Sequence, residues 1–509
     1  MSTLKSDPGM SQATWAGRVF AIDPRSLAIY RIALGAIIVW DILFRWPILS
    51  EMYSDQGFFT RDLCGQLFNL KLGPDWDQVV WSFYFLDGSV EWATVLFAAT
   101  AILAAMLALG IWTRWVTPIL FLLIVSLHYR SPLILTSGDM FLKMQVFWAM
   151  FLPTSRVWSV DAWRAGRKLS EHLAPIVTVG SAGFILQLIA MYFFTGISKL
   201  NDVWFSGDAM WYVLRLDIYI RPFGRSLLAY PVLLKLVSWA TLFVEVVWLL
   251  TLLIPWKNGF FRLSNLVLYW AFHIGIGMSM SIGLFPWISM IAWLPLIPAI
   301  CWGRVSGVAP RFAPWESLHL AQRLLRVAGL FFIGLVYLWN ISNIPHPATR
   351  ALQPRLVQKL VFRFGLDQVF QMFDRPPDRN PWFVYEAVLA DGSQVNLLTS
   401  EPVSYERPEW VRETFPGFHW RKFHRNLVAP QMAPLRQPLA DYWLKRWNET
   451  HGPNQQVVRY RVICFLEKTG PDYDGKDLIR IVWGSMDQSK QKPGSVFDSL
   501  QGDELDIPF

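Results

Sequence analysis

The chain has 509 residues, of which 53% are hydrophobic and only 17% charged, with 28 tryptophans and a net charge of +8. Soluble domains carry about 25% charged residues, so this composition excludes an ordinary soluble enzyme and points to a polytopic membrane protein. In such a chain the positive balance belongs to cytoplasmic loops that hold the topology, with no nucleic-acid partner expected.

Residues 1–24 contain no sustained apolar core, so no cleavable signal peptide is expected. About 20 apolar residues are needed to cross a bilayer. Nine stretches approach that length: 26–49, 91–112, 115–131, 139–155, 174–198, 231–255, 262–280, 284–302 and 321–341. The expected fold class is a polytopic α-helical membrane protein with about nine transmembrane helices and a C-terminal α+β extramembrane domain. Cytoplasmic loops are enriched in lysine and arginine. That rule places the N-terminus inside, together with Arg114, the group Arg156, Arg164, Arg167 and Lys168, then Lys257 and Arg262, then Arg304 and Arg311. The fifth loop, with Arg215, Arg221 and Arg225, runs against the trend. Nine spans leave the C-terminus outside and put Lys199 at the outer end of its helix. The outer loops 50–90 and 199–230 are rich in aromatic residues, Trp204, Trp211 and Tyr212 among them. Such loops lie along an interface or cover a cavity.

Composition shifts near residue 342. Residues 1–341 form the expected membrane domain and 342–509 the outer α+β domain. Residues 355–373 read as an amphipathic helix stopped by Pro376-Pro377. The run from Trp382, the turn Asp391-Gly392 and the run from Gln394 read as a hairpin, because Asp-Gly suits a two-residue turn. Residues 456–466 and 478–483 read as strands, and 419–425 and 441–447 as helical. Of three cysteines, Cys64 and Cys464 fall on one side in this topology, where an oxidising compartment would let them pair.

An ionisable residue inside a span is costly and marks a functional hypothesis. Asp41 and Arg45 are four apart in the first span and can pair on one face. Arg31 lies one turn from the inner surface, where snorkelling is available. Glu245 stands alone in the sixth span, and His273 near the middle of the seventh. Each also has a structural reading: an ion pair, a protonated acid bonded to a neighbouring helix, or an imidazole bonded to a carbonyl. No HExxH, CxxC, Walker, GxSxG or GxGxxG pattern occurs, so no metal is expected and soluble nucleotide enzymes or serine hydrolases have no support. No inverted repeat favours a transporter.

Lys199 follows the apolar run that ends at Gly196, with Trp204 and Gly207 beyond it. As an interfacial anchor its stem snorkels and its ammonium reaches the headgroups. If a protein wall keeps it dry, burial disfavours its charged form and it can serve as a general base.

Four stretches resemble the vitamin K-dependent gamma-carboxylase-like proteins, whose membrane part is the horizontally transferred transmembrane (HTTM) domain. They are Asp23 to Arg31 with Gly35, Asp41, Arg45 and Tyr53-Ser-Asp-Gln-Gly57; Gly138-Asp139 leading to Pro153 and Trp158-Ser-Val-Asp161; Tyr192 to Gly207, with Gly-x-x-Lys-Leu and Trp-x-x-Gly; and Phe272-His273 followed by Ile282-Gly-Leu-Phe-Pro286. Gln371-Met-Phe373 with Pro376-Pro377 is similar to the segment after the last span of bacterial members. The resemblance implies a protein of the bacterial inner membrane with a periplasmic C-terminal domain. It implies that Lys199 corresponds to the base that deprotonates reduced vitamin K, after which oxygen gives an epoxide and a strong base able to take a glutamate γ-proton before carboxylation. It implies His273 as a catalytic-site wall residue. Two departures stand out. Ser198 precedes Lys199 where the carboxylase has a second lysine, and no histidine lies at Thr136-Ser137-Gly138, His128 being about ten residues early.

The expected function is a carboxylase-like membrane protein that binds a reduced quinone, vitamin K or menaquinol, with Lys199 and His273 catalytic and Asp41, Arg45, Trp204 and Glu245 around the substrate. A peptide or protein substrate is the expected partner besides lipid. The alternative is a non-catalytic membrane scaffold whose outer domain binds a peptide, an export component or a lipid.

Overall fold

The computed structural model describes residues 14–303, 310, 312–344, 346, 349, 352, 354–469 and 478–487. The described residues cluster into two compact units. One draws on 14–207, 236–278 and 282–375, and the other on 208–235, 279–281 and 376–487.

In the first unit, α1 (Pro24–Arg45) starts where Asp23 caps the chain, accepting from the Arg25 amide, with Pro24 in the first turn. α2 (Val90–Leu109) is capped by Ser89, and α3 (Thr113–Arg130) and α4 (Ser137–Ala149) follow. α5 (Val179–Ser198) opens on a capping box between Thr178 and Ser181 and closes on Lys199. α6 begins as an α-helix at Pro231–Leu242, widens to a π-helix over Phe243–Val247 and tightens to a 3₁₀-helix over Trp248–Leu253. α7 (Asn258–Ser279), α8 (Phe285–Ile291) and α9 (Leu320–Ser342) complete the apolar set.

Among the described residues, five helices are long and apolar enough to cross a membrane: Pro24–Tyr53, Val90–Leu109, Val179–Ser198, Pro231–Leu253 and Leu320–Ser342. The other four expected spans do not reach that standard. α3 carries Arg114, His128 and Arg130. α4 has 13 residues, and the apolar helix at Phe285–Leu296 is also short. α7 has 22 residues, but Arg262, Asn265 and His273 lower its hydropathy. The five differ in burial. The most apolar part of α5 is 83% buried, against 33% for α2 and 28% for α9. α5 is therefore the wrapped core helix, while α2 and α9 turn large apolar side chains such as Ile102 and Leu330 outward, as a lipid-facing surface requires.

Arg31 does not snorkel. It is buried, and its guanidinium donates to the carbonyls of Thr154 (3.2 Å) and Trp158 (2.5 Å). The amphipathic helix expected over 355–373 ends early. α10 covers Arg355–Arg363 and stops because Gly365 takes φ +67°, the left-handed conformation that closes helices.

The second unit holds a five-stranded antiparallel sheet in the order β3-β2-β1-β4-β5. Its strands are β1 (Arg379–Leu389), β2 (Gln394–Asn396), β3 (Glu401–Pro402), β4 (Val457–Lys468) and β5 (Leu478–Asp487). The Asp391-Gly392 turn lies between β1 and β2 as expected. Trp382 pairs with Phe465 across the β1–β4 register and the rings stack at 5.0 Å. Phe383 and Tyr385 project toward α11 (Phe418–Leu427), where each ring packs on His424. Tyr385 also packs on Trp443 of α12 (Arg436–Thr450). The anticipated strands and both helical stretches are present. Residues 208–230, read as part of an outer loop, and 231–235, read as the start of a span, cluster with this sheet unit. Cys64 and Cys464 do not pair: all three cysteines are free thiols, and these two are buried.

Candidate functional site: a buried lysine–glutamate pair

Lys199 is the C-terminal cap residue of α5 and is 4% exposed. Its Nζ donates to both carboxylate oxygens of Glu245, at 2.8 and 2.6 Å. Its third direction is closed by Trp204, whose ring centroid lies 5.1 Å from Nζ, within cation–π range. Glu245 is 3% exposed and sits at the centre of the π-helical turn of α6. A π turn adds one residue to the ladder and re-aims a side chain, which is why such turns recur at functional sites. Here Tyr269 donates its hydroxyl to the Val244 carbonyl within that turn, at 3.0 Å.

The close approach depends on Gly196. A Cβ there would lie 2.7 Å from Val246 Cγ2 and 3.0 Å from Glu245 Cβ. The glycine of Gly-x-x-Lys therefore admits the π turn of α6 against α5, one turn before the lysine it must reach.

Trp204 is anchored in turn. Its Nε1 donates to the carbonyls of Phe373 and Asp374, both at 2.9 Å. Asn201 donates to the Asp374 carbonyl at 2.8 Å, and Arg375 meets Asp202 at the surface. The Gln371-Met-Phe373 segment is thus tied to the turn that follows Lys199.

His273 is fully buried in α7. Its Nε2 is 2.7 Å from the hydroxyl of Tyr192, which also accepts from Trp293 Nε1 at 3.1 Å. Tyr192 lies seven residues before Lys199, two turns back on the same face of α5. Tyr192, Tyr269 and Trp293 form an aromatic wall, with ring separations of 4.2 Å and 4.5 Å. The Lys199 charge reaches His273, and the Glu245 charge reaches Tyr192. His273 Nδ1 is buried with no hydrogen-bond partner among the described residues.

Asp41 and Arg45 pair as expected, but they join a different cluster. Arg45 Nε donates to both Asp41 oxygens (3.0 and 2.9 Å), Nη1 donates to Tyr53 (3.1 Å), and Nη2 donates to Asp139. The other oxygen of Asp139 accepts from the Thr136 amide and hydroxyl in the capping box of α4. Every nitrogen of Arg45 is committed to a protein acceptor, which makes this a clamp between α1 and α4.

Two residues went unrecognised as site candidates in the sequence. Asp139, which in the sequence stands only within the Gly138-Asp139 motif, is the second carboxylate on Arg45. His128 in α3 is 1% exposed, with neither ring nitrogen bonded among the described residues, and lies within electrostatic reach of Lys143 and Arg45. Lys143 itself bonds Asp367 at 2.7 Å. Nothing in a single sequence distinguishes an orphaned imidazole from a satisfied one.

No solved structure matches the chain. The HTTM domain model matches residues 20–302, a span that contains Asp41, Arg45, Lys199, Trp204, Glu245 and His273. With more than half of its length matched, and with apolar helices of membrane-spanning length, the chain belongs to the HTTM domain family, the family of the vitamin K-dependent gamma-carboxylase-like proteins.

Proposed function

We propose that the protein is a membrane enzyme of carboxylase-like type in which Lys199, held by Glu245, is the general base toward a lipophilic reduced quinone of the vitamin K or menaquinol kind. The observation that carries the reading is the Lys199–Glu245 contact in a dry aromatic surround, at the Gly-x-x-Lys-Leu position of the family. When bound, such a quinol supplies an acidic hydroxyl and two reducing equivalents for oxygen.

Two features favour such a group. Tyr192, Tyr269 and Trp293, buried and packed on one another, make the surroundings of the pair apolar, as a lipophilic ring system requires. The orphaned Nδ1 of His273 is a buried polar atom in want of a partner, and such atoms are rare in folded proteins.

From the state in which the pair has released one proton to solvent, leaving Lys199 as an amine beside the Glu245 carboxylate, Lys199 accepts the hydroxyl proton on Nζ. The ammonium that results faces the Glu245 carboxylate, so the protonated pair is overall neutral in a site where an isolated charge is expensive. Glu245 thereby stabilises the product of the base step, and Trp204 holds the ammonium from the other side. Tyr192 fixes the His273 ring, and the aromatic wall excludes water. In this reading the periplasmic face of a bacterial inner membrane holds the site, and a peptide or protein is the second substrate.

The scaffold alternative makes the pair a helix tie alone. The two readings separate in purified protein in nanodiscs, given reduced menaquinone and oxygen, with epoxide measured by mass spectrometry. Positioned general bases contribute about 10²- to 10⁴-fold. Lys199→Met should lose at least about 100-fold while folded protein is still recovered. Equal epoxide formation in Lys199→Met and wild type, or none in wild type, would contradict the base assignment.

A further inference from the structure

The second unit contains a feature that the quinol chemistry does not use. An open cavity of about 510 Å³ is lined by Arg221, Arg412 and Arg421, with Glu413 as the acidic member of the lining. Three chain segments build it. Ile220 and Met280 form an isolated antiparallel bridge, reinforced by Arg221 N donating to Ser279 O (2.9 Å) and Ser281 N donating to Tyr219 O (2.7 Å). Two of the arginines hang on this ladder. Arg412 Nη1 donates to the Ile220 carbonyl at 3.1 Å, and Arg421 Nη2 donates to the carbonyl and hydroxyl of Ser281, at 2.7 and 3.0 Å.

The charge balance is unusual. Glu413 pairs with Arg412 at 3.0 Å and is itself exposed. That leaves Arg221 and Arg421 with no acidic group of the lining in contact. Arg421 is 4% exposed, yet its Nε has no hydrogen-bond partner among the described residues. Burying a guanidinium with an unsatisfied N–H costs free energy, and the cost is recovered when an anion completes its bonds. Burial lowers the Arg421 guanidinium to about 10; Tyr219 opposes that shift, while the charges of Arg412 and Arg221 add to it. The cations act on one another. The first turn of α11 also faces the cavity through Gly417 and Phe418, adding the positive end of a helix dipole.

We propose that this cavity is a binding site for a phosphate monoester group, carried by a small molecule or by a lipid headgroup. Three guanidinium donors, from two of these chain segments, suit a tetrahedral dianion with three terminal oxygens better than a planar carboxylate. The volume falls in the range of about 300–1,000 Å³ typical of small-molecule sites, so the anion carries an organic substituent. Pro222 and Phe418 supply apolar wall for it.

The test uses the full chain in phosphatidylcholine nanodiscs, whose lipid has no phosphate monoester. The soluble probe is glycerol 3-phosphate and the lipid probe is phosphatidic acid doped into the disc, with binding read by calorimetry or by tryptophan fluorescence. At least one probe binds. Arg221→Gln and Arg412→Gln each weaken it about tenfold, the scale of one charge-assisted hydrogen bond, and added salt weakens it further. Lys445→Gln, an exposed site away from the cavity lining, leaves binding unchanged. Arg421 stays intact because it holds the Ser281 wall. Binding of glycerol 3-phosphate assigns a soluble ester, and binding of phosphatidic acid alone assigns a headgroup; both support the site. Absence of binding by either probe overturns it. So do equal affinities of wild type, Arg221→Gln and Arg412→Gln, or displacement of glycerol 3-phosphate by malonate at equal or lower concentration.

Discussion

Two buried ion clusters in the membrane unit use similar parts in opposite ways. Arg45 spends every nitrogen on a protein acceptor and joins Asp41, Tyr53 and Asp139. Lys199 has one carboxylate partner and one aromatic face. The buried histidines divide along the same line. His424 bonds through both ring nitrogens, Nδ1 to the Trp420 carbonyl and Nε2 to Tyr385, each at 2.7 Å. Among the described residues His273 bonds through one nitrogen only. Saturation marks a group whose work is holding the fold, because unpaired buried polar atoms are costly. An open valence beside an ion pair marks a group kept for something else.

Breaking the saturated cluster should give the largest effect. Arg45→Met leaves Asp41 and Asp139 buried without their cation, and removing one partner of a buried pair costs about 3–5 kcal/mol. The expected result is a large fall in thermal midpoint or in recovered protein, read by scanning fluorimetry in detergent. A midpoint within a degree or two of wild type would remove the clamp role.

The saturated histidine gives an intermediate effect with a defined pH window. Burial pushes His424 down to about 4, opposed by its bond to the Trp420 carbonyl. An unfolded histidine titrates near about 6.5. Between those values the unfolded chain binds a proton that the folded chain does not, so stability rises with pH there and is fully present above about 7. Going from pH 7 to 4.5 should cost the sheet unit roughly 2–3 kcal/mol. His424→Asn should flatten that part of the profile, as followed by urea unfolding of the full chain at each pH. An unchanged slope in the variant would show that other groups carry it.

The smallest stability effect belongs to the open cluster. Gly196→Ala places a methyl against Val246 and Glu245. Overpacking of this kind costs about 1–3 kcal/mol, and it moves Glu245 away from Lys199. Activity should fall more than stability does, by about tenfold in epoxide formation. A loss of stability without loss of activity would mean that the pair's geometry does not matter to the chemistry.

Much of the frame was legible from the chain. The Asp41–Arg45 pair follows from i,i+4 spacing, and the β1–β2 hairpin follows from Asp391-Gly392. The partner of Glu245 did not, because Lys199 is 46 residues away and helix packing, not local spacing, brings them together. The π turn that aims Glu245 left no signal in hydrophobic periodicity, which reads the same face in α and π segments of five residues. Nine apolar stretches suggested nine spans. Length and the polar residues of α3 and α7 leave five that meet the standard among the described residues. Arg31 looked free to snorkel because its carbonyl partners at Thr154 and Trp158 lie more than a hundred residues on. The early end of α10 was readable in principle, since Gly365 stands inside the amphipathic pattern.

The central claim is that Lys199 and Glu245 act as one unit. A double-mutant cycle on epoxide formation, with Lys199→Met, Glu245→Gln and both together in nanodiscs, tests it most directly. Residues that act as a unit are non-additive. Each single variant should lose at least about 100-fold, and the double variant should lose no more than Lys199→Met alone. Losses that multiply, or a Glu245→Gln variant as active as wild type, would contradict the paired base.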